Sequence, residues 1–348
     1  MSSPLLNLPP ELLANMLSFL PIQALLRFSQ TCHYSHGLAK SSLHTLSFGI
    51  HPTRVSGIIS RLASTQYPQP KATSAFAASG ESKARQARRD SLGSESLADE
   101  LFAEQDPYKV SVLIPDAQAF DYKTLFAFHS ALTKSILLRH GGTLRNLDLS
   151  LWTLSKPIAK ALSKLAALRA LSIRIEDYPH VRAVPRKLAG RQQIEQRDAW
   201  ELLVNQATWA SRLHALRVEG GELSARQLCT LLSKNRWCAE LWLCKCASIG
   251  TELWSYLGSE WEGRAALRIL GVMRCGGQLN EEVLDLIGGL GGLQFLSLEG
   301  CHGLDSETIE RRNRNGWRIA ECIPPQPKVE FAEVQNFIEV DPAYLEDD

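Results

Sequence analysis

Apolar residues recur at helical spacing near the start of the chain. Leu12, Leu13, Met16, Leu17 and Leu20 follow the Pro9-Pro10 start signal and precede Pro21, which ends the pattern. Apolar segments at 22–28 and 38–46 come within a few residues, so residues 5–46 are predicted to form three short helices. So small a unit buries little apolar surface, which leaves an apolar face in want of a partner. From residue 108 the period changes. Val110, Val112 and Ile114 alternate as in a strand, and 122–139 is periodic as in a helix.

The rest of the chain repeats. An L-x-x-L-x-L pattern occurs at Leu144/Leu147/Leu149, Leu168/Leu171/Ile173, Leu213/Leu216/Val218, Leu267/Leu270/Val272 and Leu293/Leu296/Leu298, with a further copy, Cys238/Leu241/Leu243, that opens on cysteine. Starts at 144, 168, 213, 238, 267 and 293 differ by 24, 45, 25, 29 and 26 residues. All but the 45 lie at or near the roughly 20 to 29 residues of a leucine-rich repeat. Ten to twelve residues after five of the starts, an apolar residue precedes a small or polar one: Leu154-Ser155, Leu223-Ser224, Ile249-Gly250, Leu279-Asn280 and Leu304-Asp305. Ser, Asn and Asp there are helix N-caps, and Ser224 with Gln227 has capping-box spacing. Each unit therefore reads strand, turn, helix. Stacked units give an α/β solenoid, with parallel strands on the concave face and helices on the convex one.

Three stretches depart from the repeat. Residues 64–105 are rich in Ser, Ala, Gln, Lys and Arg and poor in large apolar residues, the composition of a disordered linker. Arg88-Arg89-Asp90-Ser91 within it has basic residues upstream of a serine, and is read as a solvated charged stretch. The 45-residue step holds an insertion placed at 177–197, where Pro179, Pro185 and Gly190 argue for a loop, made basic by Arg182, Arg186, Lys187 and Arg191. Finally, 323–348 is an acidic tail. Beyond 328 it holds seven acids and no Lys or Arg, together with Phe331, Val334, Phe337, Ile338 and Tyr344, which make it too apolar for a merely solvating segment. Either it caps the last repeat or it folds back over the concave face.

Leucine accounts for 54 of the 348 residues, the excess that a repeat of this kind demands. Thirty-eight Lys plus Arg against 37 Asp plus Glu leave a net charge of +1, too weak a field to draw in nucleic acid. Hydrophobic residues make up 45%, yet no run approaches the roughly 18 needed to cross a bilayer, and the opening residues lack the features of a secretory signal. An intracellular protein, cytoplasmic or nuclear, is expected. Eight cysteines are too sparse for a disulfide scaffold and are read as reduced structural thiols. Cys238, Cys244, Cys246 and His302 suggest zinc, but alternation turns Cys246 into the core and Cys244 out of it. No motif for a nucleophile, a phosphate loop or a metal is found, so neither a cofactor nor enzymatic activity is expected.

Leu8-Pro9-Pro10-Glu11-Leu12-Leu13, then Met16-Leu17-Ser18-Phe19-Leu20-Pro21, then Leu25-Leu26-Arg27-Phe28-Ser29-Gln30-Thr31-Cys32, resembles the F-box, a three-helix module. Where many F-boxes carry Trp three residues past that Cys, this chain has Ser35. Cys246, Cys275 and Cys301 follow the last three repeats at a constant offset and resemble the cysteine-containing leucine-rich repeat. The division is then F-box at 5–46, linker at 64–105, repeat domain at 108–322 and tail at 323–348. The resemblance implies a monomeric substrate adaptor of a cullin-RING ubiquitin ligase, docking a Skp-type linker protein, and through it a cullin, by Leu8, Pro9, Leu20, Leu25 and Leu26. A scaffold that does not promote degradation is the alternative.

Alternation along the strands predicts the residues of the concave face. One column reads Asp148, Ser172, Arg217, Trp242, Gly271, Ser297, and the next Ser150, Arg174, Glu219, Cys244, Met273, Glu299. Trp242 and Met273 are expected to be exposed there beside Phe295, ringed by Arg217, Lys245 and Arg274, the alternative being that a neighbouring loop or the C-terminal tail covers Trp242. Apolar anchors within a charged rim are the composition of a protein interface, so these six residues are the candidate target site.

Overall fold

The computed structural model describes residues 8–51, 107–114, 117, 120–175 and 186–325. Three short helices open it: α1 (Pro10–Leu17), α2 (Ile22–Ser29) and α3 (His33–Ser42). Pro10 occupies the first turn of α1, where its missing N–H costs nothing. The Cys32 thiol caps α3, accepting from the Ser35 amide at 3.4 Å, and the Ser35 side chain is buried against it. Leu13, Leu17, Leu25, Leu38 and Ala39 form the core of this module.

The apolar segment at 38–46 is not one helix. It ends at Ser42, and two residues later the chain enters strand β1 (Thr45–His51). After 52–106 come β2 (Lys109–Leu113) and helix α4 (Tyr122–His140). The repeats follow as β3 (Asn146–Leu151), α5 (Lys156–Leu162), β4 (Ala170–Ile175), α6 (Arg186–Gln206), β5 (Ala215–Glu219), α7 (Ala225–Ser233), β6 (Glu240–Cys244), α8 (Thr251–Ser255), β7 (Ile269–Met273), α9 (Glu281–Gly288), β8 (Phe295–Ser297), α10 (Ser306–Arg312) and β9 (Glu321–Ile323). One nine-stranded sheet has the order β2-β1-β3-β4-β5-β6-β7-β8-β9, and every neighbouring pair is parallel. The protein is thus an F-box-sized helical module continued by an α/β solenoid.

Register is set by the repeated leucine. Leu46, Leu147, Leu171, Leu216, Leu241, Leu270 and Leu296 are partners in succession, and Cys322 completes the row. Their side chains enter the main core with those of α5 to α10, among them Ile158, Leu203, Leu228, Leu253, Leu284 and Ile309. The four expected N-caps, Ser155, Ser224, Asn280 and Asp305, stand where the sequence puts them, and Gly250 holds the same place in the fifth unit. Ser224 forms the full capping box with Gln227, and Asn280 and Asp305 accept from the amides of Val283 and Thr308 at 2.9 and 2.8 Å. Two buried tryptophans tie units together: Trp209 Nε1 donates to Leu162 O at 2.8 Å, and Trp261 Nε1 to Leu232 O and Asn235 O at 3.0 and 2.8 Å. These bonds give a further donor to carbonyls at the ends of α5 and α7, where Leu162 O and Leu232 O also accept the amides of Leu165 and Asn235.

The structure corrects the division of the chain in three places. The sheet begins at Thr45, not at 108, and β1 and β2 lie side by side, so residues 64–105 belong to an insertion within the sheet domain rather than a link between domains. Residues 64–105 themselves lie outside those described. The insertion read as a loop at 177–197 instead contributes helix from Arg186 onward: α6 runs 21 residues, with Trp200, Leu203 and Val204 buried in the row of helices. Its helical period was masked in the sequence by Gly190 and by the charges of Arg186, Lys187 and Arg191. Ile323, assigned to the tail, is the end of a ninth strand.

Two outcomes test this packing. Leu241→Ala, at the centre of the leucine row, is expected to cost about 2–5 kcal/mol in a denaturant titration, whereas exposed Leu138→Ala stays within about 0.5. His129 on α4 stacks on Trp152 at 5.0 Å, its Nε2 accepts the Trp152 amide, and burial pushes its imidazole down to about 4. Folding therefore favours the neutral ring, and the stability it contributes is full above about pH 6.5 and falls away toward pH 4, by about 3 kcal/mol in all. Urea midpoints against pH are expected to fall less steeply between these limits for His129→Gln than for the parent.

Candidate functional site

Helix α1 carries apolar side chains on two stripes. Leu13 and Leu17 turn inward, while Leu12 and Met16, and Phe19 just beyond the helix, turn outward at spacings of four and three. Phe19 is 74% exposed, and Leu8, Leu12, Met16, Leu26 and Tyr34 are exposed as well. A surface helix needs only one apolar stripe to pack, so the second is surplus to folding. Of the expected docking residues, Leu8, Pro9 and Leu26 are exposed and Leu20 is half-buried against the module core. Leu25 is not available: at 6% exposure it lies within that core, because its place on α2 faces Leu13 and Leu38. The exposed apolar stripe of Leu12, Met16 and Phe19 was not singled out, although its spacing is legible in the sequence.

This module is fastened to the sheet. Besides the two-residue step from α3 into β1, the Ile22 amide donates to Pro107 O at 3.0 Å, and the Ile22 side chain is buried in the main core. His44 Nδ1 donates to Thr143 O at 3.0 Å.

The strand face opposite the helices has the columns that alternation predicts. Ser47, Asp148, Ser172, Arg217, Trp242, Gly271, Ser297 and Ile323 are successive partners, and so are Gly49, Ser150, Arg174, Glu219, Cys244 and Met273. The expectation that the large apolar residues here are exposed is overturned. Trp242 is 4% exposed, and Met273 and Phe295 are fully buried. They form a second cluster with Cys244, Ile269 and half-buried Ile323, separate from the leucine core and composed of strand residues alone. The Trp242 and Phe295 rings lie 5.4 Å apart, tilted by 42°. Trp242 Nε1 donates to Glu240 Oε1 at 2.8 Å. The indole spreads over Gly271, where a Cβ would sit 2.2 Å from its Cε3, so the flat ring requires glycine on the next strand.

Charge rims the cluster. Arg217 is half-buried beside Trp242, and Lys245 and Arg274 are exposed. Glu219 is shared between Arg174 at 3.0 Å and Lys245 at 3.5 Å, and Arg274 pairs with Glu299 at 3.3 Å. Lys245 and Arg274 have positive φ, at the places where the neighbouring repeats have Gly220 and Gly300. Two cations thus stand where the backbone favours glycine.

Cys246, Cys275 and Cys301 form a ladder at the ends of the repeats. Cys246 Sγ donates to Val218 O and Cys301 Sγ to Val272 O, each on the preceding strand. Burial pushes the Cys238 and Cys301 thiols up to about 12, so they stay protonated as donors. Cys244 lies in the second cluster and Cys246 in the main core, on opposite faces of the sheet. Among the described residues no group of three His, Cys, Asp or Glu is placed to hold a metal ion, and no helix is long and apolar enough to cross a membrane.

No curated protein matches the chain. The family whose model matches is the one described as F-box-like, over residues 5–45, a stretch that includes α1 to α3 and ends as β1 begins.

Proposed function

We propose that the chain is a non-catalytic substrate adaptor of a cullin-RING ubiquitin ligase. The observation that carries this reading is the surplus apolar stripe of α1 on an F-box-like module. Leu8, Pro9, Leu12, Met16, Phe19 and Leu26 dock a Skp-type linker protein, which joins the chain to a cullin. The solenoid, read as leucine-rich repeats of the cysteine-containing type, holds a target protein. The ladder of Cys246, Cys275 and Cys301 supports that assignment. Because α3 passes into β1 within two residues, a target bound on the solenoid is held at a fixed offset from the docking face, which suits delivery to a bound transferase.

Capture of purified Skp-type linker protein tests the docking. Replacing a residue at an interface centre commonly costs about 2 kcal/mol, roughly 30-fold in affinity. A Pro9→Ala, Leu26→Ala variant and a Phe19→Ser variant are expected to lose that much while melting at the parent temperature. Leu25→Ala is expected to lower the melting temperature as well, since it opens the module core. Wild-type capture by the first two variants contradicts the reading. Adaptor and passive scaffold separate on the half-life of captured targets, which lengthens when an adaptor is deleted.

A further inference from the structure

The second apolar cluster is buried without a described cover. An indole packed on its own sheet keeps one ring face open, yet Trp242, Met273 and Phe295 are buried and every described member of the cluster belongs to a strand. Ser297 Oγ, fully buried in the same column, has no hydrogen-bond partner among the described residues. Buried hydroxyls are almost always bonded, so a polar group of the missing cover belongs there.

Two long stretches lie outside the described residues. Residues 52–106 carry seven basic and seven acidic side chains, and so offer a cationic surface no net attraction. Residues 329–348 carry seven acids and no Lys or Arg, with Phe331, Val334, Phe337, Ile338 and Tyr344 spaced among them. They also start in the right place, for Ile323, at the end of β9, is already packed against the cluster. From β9 to Arg217 on β5 is four strand spacings, about 19 Å. Twenty extended residues reach on the order of 65 Å, so length is no obstacle. At the far side, Glu219 is shared by two cations, and Arg217 has no ion pair among the described residues, so Arg217 offers a positive charge beside Trp242.

We propose that residues 329–348 are the resident ligand of this strand face, with their aromatic side chains over Trp242, Met273 and Phe295 and their carboxylates beside Arg217, Lys245 and Arg274. Tethered by a few residues, the segment has an effective concentration on the order of millimolar, which holds it in place even through weak contacts. Docking through α1 does not depend on this, and its test is separate.

The experiment uses the chain ending at Pro325 and a synthetic peptide of residues 326–348. The shortened chain is expected to bind the peptide, more weakly as salt rises, and at least tenfold more weakly with Arg217→Glu or with Phe331→Ala, Phe337→Ala in the peptide. The full chain is expected not to bind it, its site being filled. A full chain with Glu330→Lys, Glu333→Lys, Glu339→Lys keeps every residue in place and is expected to exchange amide hydrogens faster at 240–244, 269–273 and 295–297. Should the shortened chain fail to melt cooperatively, that variant decides. No peptide binding by a folded shortened chain, or unchanged exchange in the charge-reversed chain, overturns the proposal. So does a dimer that falls apart on shortening, which would make the cover a second copy. Capture of the Skp-type linker protein stays at the parent level in all these variants.

Discussion

One row of side chains holds the solenoid together: Leu46, Leu147, Leu171, Leu216, Leu241, Leu270 and Leu296, adjacent across seven parallel strands. Side chains alternate along a strand, so a slip of one residue would send the whole row to the wrong face. Burying the row against the helices therefore fixes the register of the sheet, and with it everything on the opposite face. Arg217 meets Trp242, and Trp242 meets Gly271, because the leucines beside them are locked. Ser224, Asn280 and Asp305 cap the helices they begin, and Trp209 and Trp261 tie the ends of α5 and α7 to the next unit.

The same constraint gives the chain two unlike surfaces on one frame. At its start, a helix apolar on two stripes uses one to fold and leaves the other outward. On the strands, the residues between the leucines gather aromatic and cationic side chains near β5 to β8. Neither surface is required by the leucine core. The short step from α3 to β1 joins them.

Most of this architecture is legible in the sequence because its signals are local and repeated. The L-x-x-L-x-L pattern marks six strands, the residue after each following apolar position marks five helix starts, and alternation assigns Cys244 and Cys246 to opposite faces. What escaped is what repetition does not mark. β1 carries the pattern only with an aromatic residue in its third slot, Leu43/Leu46/Phe48, where the six repeats have Leu, Ile or Val, and its partner β2 is 62 residues further on by register, Lys109 facing Ser47 only after the long insertion has intervened. The burial of Trp242 was unreadable, since alternation tells which way a side chain points and not what lies over it. Leu25 went wrong for the converse reason: a motif position names a helix, while burial is decided by which of its faces meets α1 and α3.

The central claim is that one rigid frame carries a docking surface on the helical module and a separate binding surface on the strands. Amide hydrogen exchange of the full chain, alone and saturated with a Skp-type linker protein, tests it most directly. The account predicts added protection over residues 8–19 and around Leu26, with exchange at 240–244, 269–273 and 295–297 unchanged. Protection appearing on those strands, or none appearing along α1, would contradict it.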